Sequence, residues 1–355
     1  MRILDRFVGS TFLKLFVISL LATPPLFMLG EVTEELDVYV DRGLTTLDVL
    51  HGFMYQMPLW LTWSFPIAGL IAAVFTVHAM TAHHEVVAAK AGGISFHRLI
   101  APILVLAALL TVVALALTEI APRSTRVASQ ILQNQERGRD WRADFVYQTE
   151  EGLSLSARRL TVADGRLTGV VLERRPTDTL PAIHVQAESA TWDDPVGWTL
   201  HTGYMRLLPE DAPERAFNFR HLRMEGIEER PEELLREPRE EEEMTYAEID
   251  RLARIIQRTG GQPHELLVKK EQKLAIPVAT FIIVLFGAPM ATSSKRGGAA
   301  YGIGVALGAT IAYMALMRVA SGLGASGAIP PLAAAWLPNS LFLAAGLVLM
   351  VRVRT

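Results

Sequence analysis

Six separate stretches of this 355-residue chain are apolar and long enough to cross a lipid bilayer, and this constrains its fold more than any other feature. They fall at about 10–30, 54–78, 99–118, 273–291, 299–321 and 331–351. About 20 apolar helical residues span roughly 30 Å of hydrocarbon. In lipid the backbone must satisfy its own hydrogen bonds, so these stretches are expected to be helices. Kinks are expected at Pro24-Pro25, Pro58, Pro66, Pro289 and Pro338. The first stretch lacks a small-residue cleavage signature and continues into Glu31-Val-Thr-Glu34-Glu35, so it reads as an uncleaved anchor.

Composition agrees. Half of the residues are hydrophobic, 20% are charged, and the mean hydropathy is +0.27. A net charge of −3 is too small to suggest nucleic acid as a partner. With no cysteine, disulfide and thiolate chemistry are excluded.

Lysine and arginine near the helix ends set the orientation. Arg2 and Arg6, Lys90 and Arg98, Lys295 and Arg296, and Arg352 and Arg354 all fall on one side of a six-span arrangement. The opposite short loops carry Arg42 against Glu31, Glu34, Glu35, Asp37 and Asp41, or no charge at all in 322–329. Both termini are therefore expected in the cytoplasm, and the long segment 119–272 outside it, in the periplasm of a two-membrane cell. The expected division is 1–122 for the first three spans with a cytoplasmic loop at 79–98, 123–243 for an exported domain and acidic connector, and 244–355 for an amphipathic helix and the last three spans.

The exported segment changes character. From about 144 to 224 short alternating runs mark half-buried strands, for example at 144–148, 167–172, 183–187, 198–202 and 217–221. Turn signals separate them at Ala163-Asp-Gly-Arg166, Arg175-Pro-Thr-Asp178 and Asp193-Asp-Pro-Val-Gly197. Such spacing suggests a small sandwich or jelly roll. Residues 225–243 follow, with ten glutamates against three arginines, and read as a solvated, poorly ordered connector. Thr245-Tyr-Ala-Glu248 then matches a capping box ahead of a short amphipathic helix that Gly260-Gly261 should stop.

Catalytic motifs fail on inspection. His84-Glu85 lacks a second histidine one turn later, so no zinc-protease site forms, and no metal-ligand spacing occurs elsewhere. There is no P-loop and no nucleophile elbow. No catalytic residue, metal or cofactor is therefore expected.

Two groups of residues remain. The alanine-rich loop 79–97 should form a helix ended by Gly92-Gly93. It reads either as an interfacial connector or as a coupling helix with Glu85 facing a basic residue of a cytoplasmic motor. Lys269, Lys270, Lys273 and Arg318 fall near the exterior ends of their spans, where they either snorkel to the interface or contact phosphate.

Several motifs, in order along nearly the whole chain, resemble the LptF/LptG permease family. They are Leu4-Asp5-Arg6-Phe7, Gln56-Met-Pro58 with Phe65-Pro66, Glu85-Val-Val-Ala-Ala-Lys90-Ala-Gly-Gly-Ile-Ser95 and Glu119-Ile-Ala-Pro122. Toward the C-terminus come Lys273-Leu-Ala-Ile-Pro277, Phe286-Gly-Ala-Pro289, Lys295-Arg-Gly-Gly298, Ile329-Pro-Pro331 and Trp336-Leu-Pro338-Asn339. The resemblance implies a polytopic α-helical protein of six spans, three plus three, with an inserted periplasmic β-jelly-roll-like domain. It also implies a permease subunit of an ABC exporter, itself not an enzyme, whose partners are an LptB-like ATPase, a second LptF/LptG-type permease, an LptC/LptA-like bridge and lipopolysaccharide.

On that resemblance Glu85 and Lys90 couple to the ATPase, and Arg318 lies near a cavity between the first and fifth helices of the two permeases. The chain departs from better-known members at Gly30-Glu31-Val32, where they carry a basic residue. A β domain with a greasy interior can shield acyl chains, since each exposed methylene costs about 0.8 kcal/mol. Phe145, Val185, Trp198, Leu200 and Phe219 are candidates either for that lining or for ordinary core. The rival reading of the whole chain is an envelope sensor whose exported domain binds a ligand.

Overall fold

The structure is a computed structural model and describes residues 3–133, 141–148, 153–174, 176, 181–194, 197–209, 213–223, 227, 229–235, 240–258, 261–293 and 299–353. The chain forms two compact units. One comprises 1–133, 240–251 and 263–355, and the other 134–239 and 252–262.

The first unit is helical. Its elements are α1 (Ile3–Asp41), α2 (Thr46–Ala82), the short α3 (Glu85–Ala91), α4 (Phe96–Leu132), α7 (His264–Met290), α8 (Ala299–Ala325) and α9 (Pro331–Arg352). All but α3 are long and apolar enough to cross a membrane. The helices continue unbroken through the prolines at 24–25, 58, 66, 289 and 338.

Three of the helices outrun the spans expected of them. At 1.5 Å per residue, the 39 residues of α1 reach about 58 Å, nearly twice the hydrocarbon thickness. The extra turns of α1, α2 and α4 share one end and carry a core of their own, in which Tyr39, Phe53, Trp60 and Leu132 pack together. Arg42 adds a hydrogen bond to the Leu132 carbonyl at 3.2 Å. The α2 start is fixed by a capping box between Thr45 and Asp48.

Within the main bundle α2 and α7 are central. In each, 67% of the apolar window is buried, against a third or less in the other four spans. Small residues let them approach closely: a methyl on Gly287 would sit 2.5 Å from Leu70 Cδ1, and one on Gly69 3.0 Å from Val284 Cγ2. Asn339, 1% exposed, donates to the Ala275 carbonyl at 2.7 Å and accepts from the Tyr313 hydroxyl at 3.0 Å. One amide thereby ties α7, α8 and α9, an arrangement lipid favours because water is absent. The apolar side chains left facing outward, such as Leu21, Val105, Leu109 and Ile311, are then lipid-facing rather than anomalous.

The second unit is built on one antiparallel sheet of six strands in sequential order: β1 (Trp141–Gln148), β2 (Leu153–Thr161), β3 (Arg166–Arg174), β4 (Ala182–Asp193), β5 (Gly197–Leu208) and β6 (Arg215–Arg223). Strand β2, which opens Leu-Ser-Leu-Ser-Ala, alternates cleanly and lies within the stretch expected to form strands. The turn at 163–166 is where the sequence places it. The turn signals at 175–178 and 195–196 lie largely outside the described residues, as do Lys295 and Arg296.

The sheet has an interruption common to all its strands. Pairing skips one position in each neighbouring pair, and the skipped positions line up as Asp144, Arg158, Gly169, Glu188, Thr202 and Arg220. Asp144, Gly169 and Thr202 have positive φ there, at 46°, 62° and 50°. For a β-branched threonine this is a strained backbone. On crossing the row, the inward positions change parity: Leu153, Leu155 and Ala157 but then Leu160 in β2, and Val185 and Ala187 but then Ala190 in β4. Each strand carries one extra residue in register, and both sides of the row feed a single core.

The acidic segment differs from the connector expected of it where it is described. Ile227 and Leu234 are buried, the latter within a short helix α5 (Pro231–Leu235), and Glu241–Glu243 form a 3-10 turn. Composition missed this because two or three apolar anchors suffice to hold a charged segment in place.

Candidate functional site

Helix α3 is about two turns of connector turned into a presented element. His84 enters it in the left-handed region at φ 60°. A Schellman motif closes it: Ile94 N–H donates to the Ala89 carbonyl, and Gly93 N–H, at φ 80°, to the Lys90 carbonyl. Gly92-Gly93 end the helix as the sequence predicts. Val86 is buried and moors the helix, while Glu85, Val87 (61% exposed) and Ala88 face outward. The Lys90 ammonium lies 6.0 Å from the Phe96 ring centroid, at the edge of cation–π range. The outward face therefore offers one carboxylate beside an exposed valine.

The four basic residues near the other end do not form one group. Lys269 pairs with Glu242 at 3.4 Å, and Lys270 with Asp250 at 3.1 Å and Glu271 at 3.5 Å. Lys273, half-buried, lines a cavity of about 60 Å³ with Trp63, Thr118, Glu241, Glu242 and Gln272. Lys269 borders the same cavity. Arg318 is elsewhere: its neighbour Met317 is buried, and its own side chain is exposed on α8 with no ion pair among the described residues. Glu241 and Glu242 belong to this site, although they fall in the stretch that composition marks as a connector. Their distance in the chain from Lys269 and Lys273 hid the pairing.

Just beyond, α6 (Tyr246–Arg258) starts with the expected capping box. Thr245 N–H and Oγ1 donate to Glu248 Oε2 at 2.8 and 2.9 Å, and Glu248 N–H returns to Thr245 Oγ1. The same carboxylate accepts from Arg126 Nη2, and Arg126 Nε donates to the Glu243 carbonyl at 2.7 Å. Burial alone would raise the Glu248 carboxyl, but these donors outweigh it and hold it at about 2. A depressed carboxyl stabilises above its unfolded value and loses that contribution as it protonates. The α6 start is therefore expected to loosen as pH falls from about 4.5 toward 2. Hydrogen exchange at the Thr245 and Glu248 amides checks this: the protection of both amides, taken relative to the intrinsic exchange rate at each pH, should fall over that window, and Glu248→Gln should flatten the profile.

In the β unit, Phe145, Val185, Trp198 and Leu200 are buried in the core, and Phe219 packs at its rim on β6. Trp198 donates its indole N–H to the Glu229 carbonyl at 2.8 Å and meets Trp192 edge-on at 5.5 Å. These side chains form one continuous apolar interior, with β1 and β6 as the sheet's two edges.

Among the described residues, six bilayer-length helices divided three and three by an inserted antiparallel sheet define a polytopic membrane protein. The chain belongs to the lipopolysaccharide export system permease LptF/LptG family, whose pattern it matches over residues 6–352. No curated protein matches the chain.

Proposed function

We propose that this chain is one permease half of an ABC exporter that takes lipopolysaccharide, or a related lipid, from the outer leaflet of the inner membrane and passes it to a periplasmic bridge. The observation that carries this reading is the family match from residue 6 to 352, which spans both helical halves and the sheet between them. Both termini and α3 lie in the cytoplasm, and the β unit lies in the periplasm. This orientation rests on the basic residues near the helix ends.

ATP is hydrolysed by a separate LptB-like subunit that receives α3, with Glu85 and Lys90 at the contact. A second LptF/LptG-type permease completes the lipid path. In the β unit Phe145, Val185, Trp198, Leu200 and Phe219 shield acyl chains, and an edge strand pairs with an LptC/LptA-like protein, as exposed edges do. Among the basic residues, Arg318 and Lys273 are the first candidates for lipid phosphates. Lys269 and Lys270 would have to leave Glu242 and Asp250 to take part.

Purification in mild detergent tests the reading. The expected result is an assembly holding an ATPase and a second six-span chain. Recovery as a solitary monomer would overturn it.

A further inference from the structure

We infer that the groove between the first turns of α1 and α4 is a seat for one anionic phospholipid of the adjoining leaflet. The groove encloses about 450 Å³ and is open to the side. Its walls are Gly9 and Leu13 of α1 and Ala101, Pro102, Val105 and Leu109 of α4. Gly9 lies at its base, buried where α1 meets α4, and a methyl there would meet Leu106 Cδ1 at 3.4 Å and Pro102 Cβ at 3.8 Å, ordinary contact distances.

At the mouth stand Arg6, Arg98 and Asp5. Arg98 donates to Asp5 at 2.8 Å, which neutralises that carboxylate. Arg6 is exposed and has no hydrogen bond or ion pair among the described residues, so the mouth keeps an unspent guanidinium.

The dimensions fit a lipid chain. From Ala101 to Leu109 the trough runs about 12 Å, against roughly 15 Å for the hydrocarbon of one leaflet. An acyl chain lying in it places a phosphodiester at the guanidinium, a geometry arginine recognises through paired N–H donors. A zwitterionic headgroup would bring a choline ammonium to the same mouth, and a detergent would bring no anion. Charge complementarity thus selects an anionic phospholipid. The inference requires only that α1 and α4 span a membrane; it is independent of the transport reading.

Native mass spectrometry of the full chain, with whatever subunits accompany it, tests the seat. The protein is taken from nanodiscs of equimolar phosphatidylglycerol and phosphatidylcholine with matched chains. Phosphatidylglycerol should be retained about fivefold over phosphatidylcholine, the preference one basic side chain near a membrane supplies. Arg6→Gln should reduce that preference to near unity, and Ala101→Leu, which fills the trough, should remove the retained lipid. Lys14→Gln, one exposed charge deeper on α1 and outside the groove, should change neither. Equal retention of the two lipids, an unaltered Arg6→Gln variant, or a loss in Lys14→Gln as large as in Arg6→Gln would each overturn the inference.

Discussion

Glu85→Arg should leave nucleotide hydrolysis running while lipid release in proteoliposomes falls by about tenfold or more. A like charge set against a basic docking surface costs several kcal/mol, and each 1.4 kcal/mol is a factor of ten. The side chain is exposed and makes no hydrogen bond among the described residues, so the substitution spares the fold. The next residue, Val86, is buried and moors α3 without it, and the Schellman closure at Gly93 is independent of residue 85. Glu85→Gln keeps the shape and removes the charge, and its loss should be intermediate. Release and hydrolysis are measured on the same vesicles. Unchanged release in Glu85→Arg would rule out the coupling role and leave α3 as a connector.

The largest structural effect is expected at Gly203 in β5. A methyl there would fall 2.0 Å from the Gln186 carbonyl oxygen, 2.8 Å from Phe219 Cζ and 2.9 Å from Ala187 Cα. Phe219 can swing away, but the two atoms of β4 are backbone, held by the pairing of Ala187 with Gly203. Gly203→Ala must separate two central strands, at a cost of about 3 kcal/mol. Proteolysis that follows the opened population then accelerates by about a hundredfold. Limited digestion of the full chain reads this directly, with cuts confined to the 141–223 region. Gly30→Ala should be silent, since a methyl there meets nothing within 4 Å.

The helices were legible because bilayer length and hydropathy act over some 20 residues at once. Their ends were not. Glu119, Arg123 and Arg126 stop the apolar run at about residue 118, yet α4 remains helical to Leu132. Beyond the hydrocarbon a helix needs only one packed face, and Leu132 supplies it against Tyr39 and Phe53. The capping box at Thr245 was readable since it is local, whereas the Arg126 contact that completes it joins residues 122 positions apart.

The same division runs through the candidate sites. Gly92-Gly93 announced the end of α3, and the loop composition announced its helix. The engagement of Lys269 and Lys270 by acids was invisible, because Glu242 and Asp250 are brought to them only by the return of the chain into the bundle. In the β unit, both β2 and β6 fall in the stretch whose alternation marks strands, although β6 is the more exposed of the two. Alternation alone does not rank strands by burial.

The row from Asp144 to Arg220 works as a crease that all six strands must cross in step. Deleting a single residue from any one strand there would return its far half to ordinary alternation and turn its greasy side chains toward water, while its neighbours stayed put. The crease therefore locks the lengths of the strands to one another. Sequence change in this sheet can be generous at its turns, but across the crease it must proceed by substitution rather than by insertion or loss.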